Sequence, residues 1–308
     1  MTMPGQTAPA DASAAPIRRR SPVWLDILSF LSDPGALIGL ILLIVIVLGA
    51  LLAPWIMPQD PYDIAALSIM DARMAPGETS LDGMVFLLGS DGQGRDMLSA
   101  IVYGLRISIF VGVTSTISAS MLGALVGLLA AYFGGAIDAI LMRTVDIFLS
   151  FPPILIALVV VVSLGNGVDK VILSLVIVQW AMYARTLRSS AMSERRKEYV
   201  EAARCRGLSH MRIMFRHILP NGLSPVIVVM TVQVASAITL EATLSFLGVG
   251  LPVTEPSLGL LVSKGFEYMI SGQYWISTFP GVALLLTVLA INLVGDRLRD
   301  VLNPRLKK

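Results

Sequence analysis

Charge is scarce in this chain. Only 14% of its 308 residues are Asp, Glu, Lys or Arg, against about 25% in an ordinary soluble domain. Hydrophobic residues make up 55%, and the mean hydropathy is +0.78. That excludes a soluble globule and points to a polytopic membrane protein. There is a single cysteine, Cys205, so an internal disulfide and a thiolate set for zinc are both excluded. The only histidines are His210 and His217, too sparse for a metal cluster. No G-x-x-x-x-G-K-[ST] run occurs, so no P-loop cradles a nucleotide, and H-E-x-x-H is missing too. A formal net charge of +2 gives no reason to expect nucleic acid. The inventory describes a non-enzyme that binds no metal and no cofactor of its own.

What is present is a series of long apolar runs. Residues 1–16 are rich in Ala, Pro, Ser and Thr and read as disordered. Arg18, Arg19 and Arg20 follow, then a segment at 24–31 that suits the membrane interface. Residues 34–59 carry no charge, too long for a signal-peptide core and enough for the roughly 20 residues that cross a bilayer. A first span is expected at 36–56, ending at Pro58. The next charge-free run, 107–137, would reach about 45 Å as a helix, so part of it must tilt or protrude from a core of about 30 Å. Ser115, Ala119, Gly123, Gly127 and Ala131 recur along it at every fourth position. Such a stripe lets backbones approach closely, on this chain or on a partner. A third span at 140–164 is kinked by Pro152 and Pro153, a fourth covers 170–187, a fifth 219–247 and a sixth 274–294. The expected fold is an all-α membrane protein of about six transmembrane helices.

Loop charges set the expected orientation. The segment 61–96 holds Asp63, Asp71, Glu78, Asp82, Asp91 and Asp96 against Arg73 and Arg95. The triple Arg before the first span and the tail with Arg297, Arg299, Arg305, Lys307 and Lys308 are basic. Cytoplasmic loops favour Lys and Arg, so both termini are expected inside and the segments 61–96 and 248–273 outside. The resulting division is a tail at 1–33, a first span with a short external segment at 34–96, a membrane domain at 97–300 and a second tail at 301–308.

The longest strongly charged stretch is 194–221, ERRKEYVEAARCRGLSHMRIMFRHILPN. Residues 194–206 contain no Gly or Pro and many helix formers, which predicts one helix. Gly207 then stops it, and Pro220 fits the first turn of the next. A short inside helix, a glycine turn and a return to the membrane imply that something outside the bilayer acts on the loop. A loop that only sets topology explains the charge but not the spacing.

Glu201-Ala202-Ala203, Gly207 and Leu219-Pro220 resemble the EAA loop of ABC-importer permease subunits. His217 stands where an aliphatic residue is usual. Gly89-Ser90-Asp91, Gly94-Arg95-Asp96, Leu98-Ser99, Gly104, Arg106 and Ser108 resemble a second signature of the same family. So do Leu244-Ser245-Phe246-Leu247-Gly248 and the series Asn292-Leu293, Gly295-Asp296, Leu298-Arg299-Asp300 and Asn303-Pro304. Together they resemble the C-type subunit of the dipeptide, oligopeptide and nickel branch. Ala100 stands where Arg is usual, Asn303 where Asp is usual, and the loop 251–259 departs from the common Pro-rich form. The resemblance implies a type I importer (MetI-like) core. It implies Glu201, Ala202, Ala203, Gly207, Leu219 and Pro220 as the coupling site, with Ala202 and Ala203 keeping the helix slim enough for a groove. It further implies a heterodimer with a second permease, two cytoplasmic ATPase subunits that hydrolyse ATP, and an external substrate-binding protein, all at the cytoplasmic membrane. Di- or oligopeptides, nickel, glutathione and opine-like solutes are the substrates it leaves open.

Charged residues inside spans are functional candidates. Arg143 and Asp146, at i and i+3, are expected to form a local ion pair on one helix face, with a pathway role as the alternative. Glu241 has no partner on its own helix; pathway lining and an interhelical bond both remain open. An ion-driven secondary transporter would need paired carboxylates at mid-membrane, and beyond Glu241 and Asp146 the spans offer none. A non-transporting scaffold accounts for the spans but not for the EAA spacing.

Overall fold

The computed structural model describes residues 30–63, 67–80, 83–252 and 254–302. The tail with Arg18 to Arg20, the segment 24–29, Asp82 and the series from Asn303 to Lys308 lie outside the described residues. Among the described residues the fold is helical, with two isolated antiparallel bridges, Thr79 to Val85 and Ser90 to Asp96, and no strand. Five helices are long and apolar enough to cross a membrane, and a bent pair makes a sixth crossing if it is one span.

The first is α1 (Pro34–Ile56). The Asp33 side chain caps it by accepting from the Gly35 amide at 2.9 Å, and Pro34 takes the first turn, where no N–H is missed. The second, α2 (Met97–Phe133), has 37 residues, about 55 Å of helix, which confirms that it outruns the bilayer core. Asp96 caps its start, accepting from the Ser99 amide at 2.8 Å and hydroxyl at 2.6 Å. Gly134, with φ of +68°, ends it in a conformation that a side chain would strain.

The third crossing differs from a simple kink. α3 (Gly135–Ser150) and α4 (Pro153–Leu164) meet at 92°. Both Phe151 and Pro152 precede a proline and are held extended, with ψ of 145° and 129°, because the following ring crowds the helical region. Two consecutive extended residues turn the chain where one would only bend it.

α5 (Val168–Arg195) runs beyond the predicted end at residue 187. It packs most extensively on α2, and the stripe of small residues is the reason. A Cβ on Gly123 would lie 2.6 Å from the Tyr183 Cβ and 2.9 Å from the Ala184 nitrogen, and one on Gly127 would lie 3.0 Å from the Arg188 nitrogen. The stripe therefore packs within this chain. In lipid, where apolar burial gives little drive between helices, such backbone proximity holds a bundle together.

The loop after α5 contains α6 (Glu198–Cys205), α7 (His210–Ile213), a π-helical turn (Met214–Ile218) and α8 (Leu219–Gly222). The fifth membrane helix, α9 (Ser224–Phe246), begins only after Leu223, five residues later than the sequence reading. Its Pro225 restarts the helix in the first turn, as Pro220 does for α8. Next come the short α10 (Leu258–Phe266) and the last span, α11 (Trp275–Leu302), which packs on α1, α9 and α10.

The segment between α1 and α2 is a compact turn structure, not a loose tether. The Asp91 carboxylate accepts from the Gln93 amide at 2.8 Å and the Arg95 amide at 3.0 Å, and pairs with the Arg95 guanidinium at 2.9 Å. Both side chains are buried. The Ser90 hydroxyl donates to the Asp71 carbonyl and accepts from the Met74 amide at 2.8 Å. The Trp275 indole donates to the Ser90 carbonyl at 3.3 Å, tying the segment to the start of α11.

Candidate functional site

The helix predicted for 194–206 is two helices. α5 carries on through Arg195, Arg196 caps it, and Lys197 turns extended with ψ of 148° before α6 begins. The carboxylate of Glu194 explains the break. It is largely buried and accepts from the Lys197 ammonium at 2.6 Å and the Tyr199 hydroxyl at 2.7 Å. Those two donors lie three and five residues ahead, and a continuous helix would carry Tyr199 round to the far side. Burial, reinforced by Glu194, pushes the Tyr199 hydroxyl up to about 12, so it stays a donor at any physiological pH.

α6 ends in a Schellman cap. The Gly207 amide donates to the Arg204 carbonyl at 2.9 Å, and the Leu208 amide reaches back to the Ala203 carbonyl at 3.3 Å. Gly207 has φ of +71°, the left-handed geometry this cap requires and glycine adopts without strain. The spacing Ala203 to Gly207 is thus one closed device.

One side of the loop is core. Val200, Ala203, Ile213, Met214 and Ile218 are buried against Leu128, Ala131, Tyr132, Leu187 and Ala191 at the ends of α2 and α5. Tyr132 and His210 share a hydrogen bond of 2.6 Å that fixes the start of α7. Glu201, Ala202, Gly207 and Pro220 are exposed, Leu219 is half-buried, and Ala203 is 4% exposed. This divides the residues grouped by the EAA resemblance. Glu201 and Ala202 face outward, whereas Ala203 is small because it packs on its own chain, not because it enters a partner's groove. Cys205 is an exposed last-turn residue.

The membrane charges are resolved as well. Asp146 does not pair with Arg143: its carboxylate takes the Arg185 guanidinium of α5. Arg143 is exposed and makes no ion pair among the described residues. About two turns nearer the start of α3, Asp138 receives Arg188 bidentately at 2.5 and 2.6 Å. Two arginines of α5 thus clamp the bent crossing, an arrangement that spacing along one helix cannot reveal.

Glu241 is fully buried and forms an interhelical bond. It accepts from the Ser108 hydroxyl of α2 and the Ser245 hydroxyl of α9, both at 2.8 Å, with Ser257 also turned toward it. Ser257 caps α10 through the Leu260 amide at 3.2 Å. Gly104 and Gly259 admit α10 to the site. A Cβ on Gly104 would stand 3.3 Å from the Leu258 nitrogen, and one on Gly259 2.6 Å from the Ala242 Cα. Ser108 and Ser245 come from two signatures more than a hundred residues apart. Ser245, at i+4 on the same helix, corrects the expectation that Glu241 has no partner there, whereas Ser108 comes from another span and could not be found by spacing.

Comparison with known proteins identifies the class. Residues 119–308 match the family described as binding-protein-dependent transport system inner membrane component, and residues 23–76 match the N-terminal transmembrane domain of oligopeptide transport permease C. The chain belongs to this family of inner-membrane, multi-pass ABC-importer permeases, whose members work with ATPase subunits and a binding protein. It is 41% identical over 280 residues to the dipeptide transport system permease protein DppC of Escherichia coli, covering 91% of this chain and 92% of that one. The corresponding protein of Haemophilus influenzae is 39% identical over 279 residues, covering 91% and 93%. The fold is that of a chain from the MetNI methionine ABC transporter, solved in inward-facing conformations. The match has a TM-score of 0.53 at 20% identity and covers 67% of this chain and 98% of that chain.

Proposed function

We propose that the chain is one transmembrane half of an ATP-driven importer of dipeptides or short oligopeptides. It would pair with a second, different permease subunit and carry both termini on the cytoplasmic side. Likeness to dipeptide permeases across nine-tenths of the chain supports the substrate class. The basic loop 194–223 and the acidic segment 61–96 support the orientation. One observation carries the coupling reading: α6 is an internally capped helix, docked on the ends of α2 and α5, that leaves Glu201 and Ala202 exposed. An ATPase that seats this helix can move both spans together. ATP-bound ATPases would favour one arrangement of the spans and ATP-free ones another, which is the differential affinity that alternating access requires.

The test is uptake of a labelled dipeptide into proteoliposomes holding the full complex. Ala202→Asp is expected to leave the permease folded and inserted while abolishing ATP-dependent uptake and weakening ATPase binding. Unchanged uptake by this variant would refute the coupling role.

A further inference from the structure

A cavity of about 500 Å³ opens between the last turn of α5 and the capped helix α6. Its lining is Met192, Arg195, Arg196, Lys197, Glu201 and Arg204, four cations against one carboxylate. Lys197 is paired with Glu194 outside the lining, and the three arginines make no ion pair among the described residues. The Arg195 guanidinium is anchored on the Ala131 carbonyl at 2.9 Å, in the last turn of α2. Arg204 stands over the Tyr132 ring at 5.8 Å, and Lys197 leans on Glu194. Arg196 makes no ion pair among the described residues. The contact of Lys197 with Glu194 shapes the break before α6, but Arg196 has no such role in the fold.

Depth decides what such a site meets. α5 starts at Val168. At 1.5 Å per residue, Met192 and Arg195 stand roughly 36–40 Å along it, past a hydrocarbon core of about 30 Å and at the outer edge of the headgroup layer. A clustered positive surface immediately beyond a span is the electrostatic complement of an anionic lipid.

We propose that this cavity binds the phosphodiester headgroup of an anionic phospholipid, bridging the end of α5 to α6 and thereby setting how firmly the coupling helix is held. Arg196 and Arg204 supply the phosphate contacts, and Arg195 fixes the wall behind them. The inference rests on the 194–223 end facing the cytoplasm. Its readout is lipid retention, which needs no transport. A complex that keeps lipid but imports no peptide sinks the importer reading alone, and one that imports but keeps no lipid sinks only this one.

The experiment uses the full complex in detergent, titrated with mixed micelles of phosphatidylglycerol or of phosphatidylcholine, with bound lipid counted by native mass spectrometry. Phosphatidylglycerol should be retained and phosphatidylcholine washed away. A basic side chain at a membrane surface contributes about fivefold in affinity, so the double variant Arg196→Gln, Arg204→Gln should bind roughly 25-fold more weakly. Arg196→Lys, which keeps the charge, should stay within about twofold. Retention unchanged in the double variant overturns the proposal. So does equal occupancy by inorganic phosphate at the same concentration, which would mark a free-anion site. Loss of the ATPase subunits from the double variant in lipid-free detergent overturns it too, because the cations would then belong to the ATPase interface.

Discussion

The Ser108 hydroxyl donates to the Glu241 carboxylate at 2.8 Å, joining two spans across 133 residues of sequence. Ser245 donates to the other carboxylate oxygen, so α2 and α9 are tied at a point closed from above by α10.

Glu241→Leu should therefore destabilise the permease by about 1–3 kcal/mol, because it leaves buried hydroxyls without their acceptor. Glu241→Gln keeps an acceptor oxygen and should cost less. Thermal unfolding in detergent, followed by loss of monodisperse complex, checks the order. If Glu241→Gln alone abolishes dipeptide uptake at wild-type stability, the residue works in transport and not in assembly.

Gly123→Leu and Gly127→Leu should each prevent accumulation of folded protein. The added atoms would overlap the Tyr183 Cβ and the backbone of Trp180, Ala184 and Arg188 in α5, with no flexible chain end to give way. Wild-type amounts of either variant after solubilisation would place the α2–α5 contact elsewhere.

Ala202→Asp and Ala203→Asp should separate despite being neighbours. Ala203 is buried and Ala202 exposed, and a lone charge in a packed site is expensive. Ala203→Asp should lower the amount of inserted permease several-fold, whereas Ala202→Asp should leave it unchanged and lose uptake. Equal expression of both variants would contradict the burial of Ala203.

Reporter fusions test the orientation. Those at Thr79 and Pro256 should read outside, those at Ser193 and Lys308 inside. One inversion among the four breaks the six-crossing arrangement.

The apolar runs announced most of the spans directly, because a straight crossing needs about 20 apolar residues whatever it packs against; the bent third crossing, with Asp138, Arg143 and Asp146 on α3, is the exception. The glycine stop at 207 and the proline restart at 220 were equally legible, since each follows from backbone geometry at one residue. The split at Lys197 was not. It depends on Glu194 gathering Lys197 and Tyr199, a side-chain preference that outweighs good helix propensity. The partner of Asp146 was misjudged for a related reason. The i to i+3 rule finds neighbours on one helix, and Arg185 comes from another. For Glu241, the i+4 hydroxyl of Ser245 was within reach of spacing on one helix, but Ser108 and Ser257 were not, because only the packing of α2 and α10 on α9 brings them to it.

The Schellman cap on α6 has a mechanical consequence. Its final amides and carbonyls are satisfied within the chain, and its inner face is seated on two spans. A partner that docks there meets a stiff lever already in shape and loses little to ordering it. Force applied at Ala202 is then delivered to the far ends of α2 and α5 with little spent on bending the loop between them.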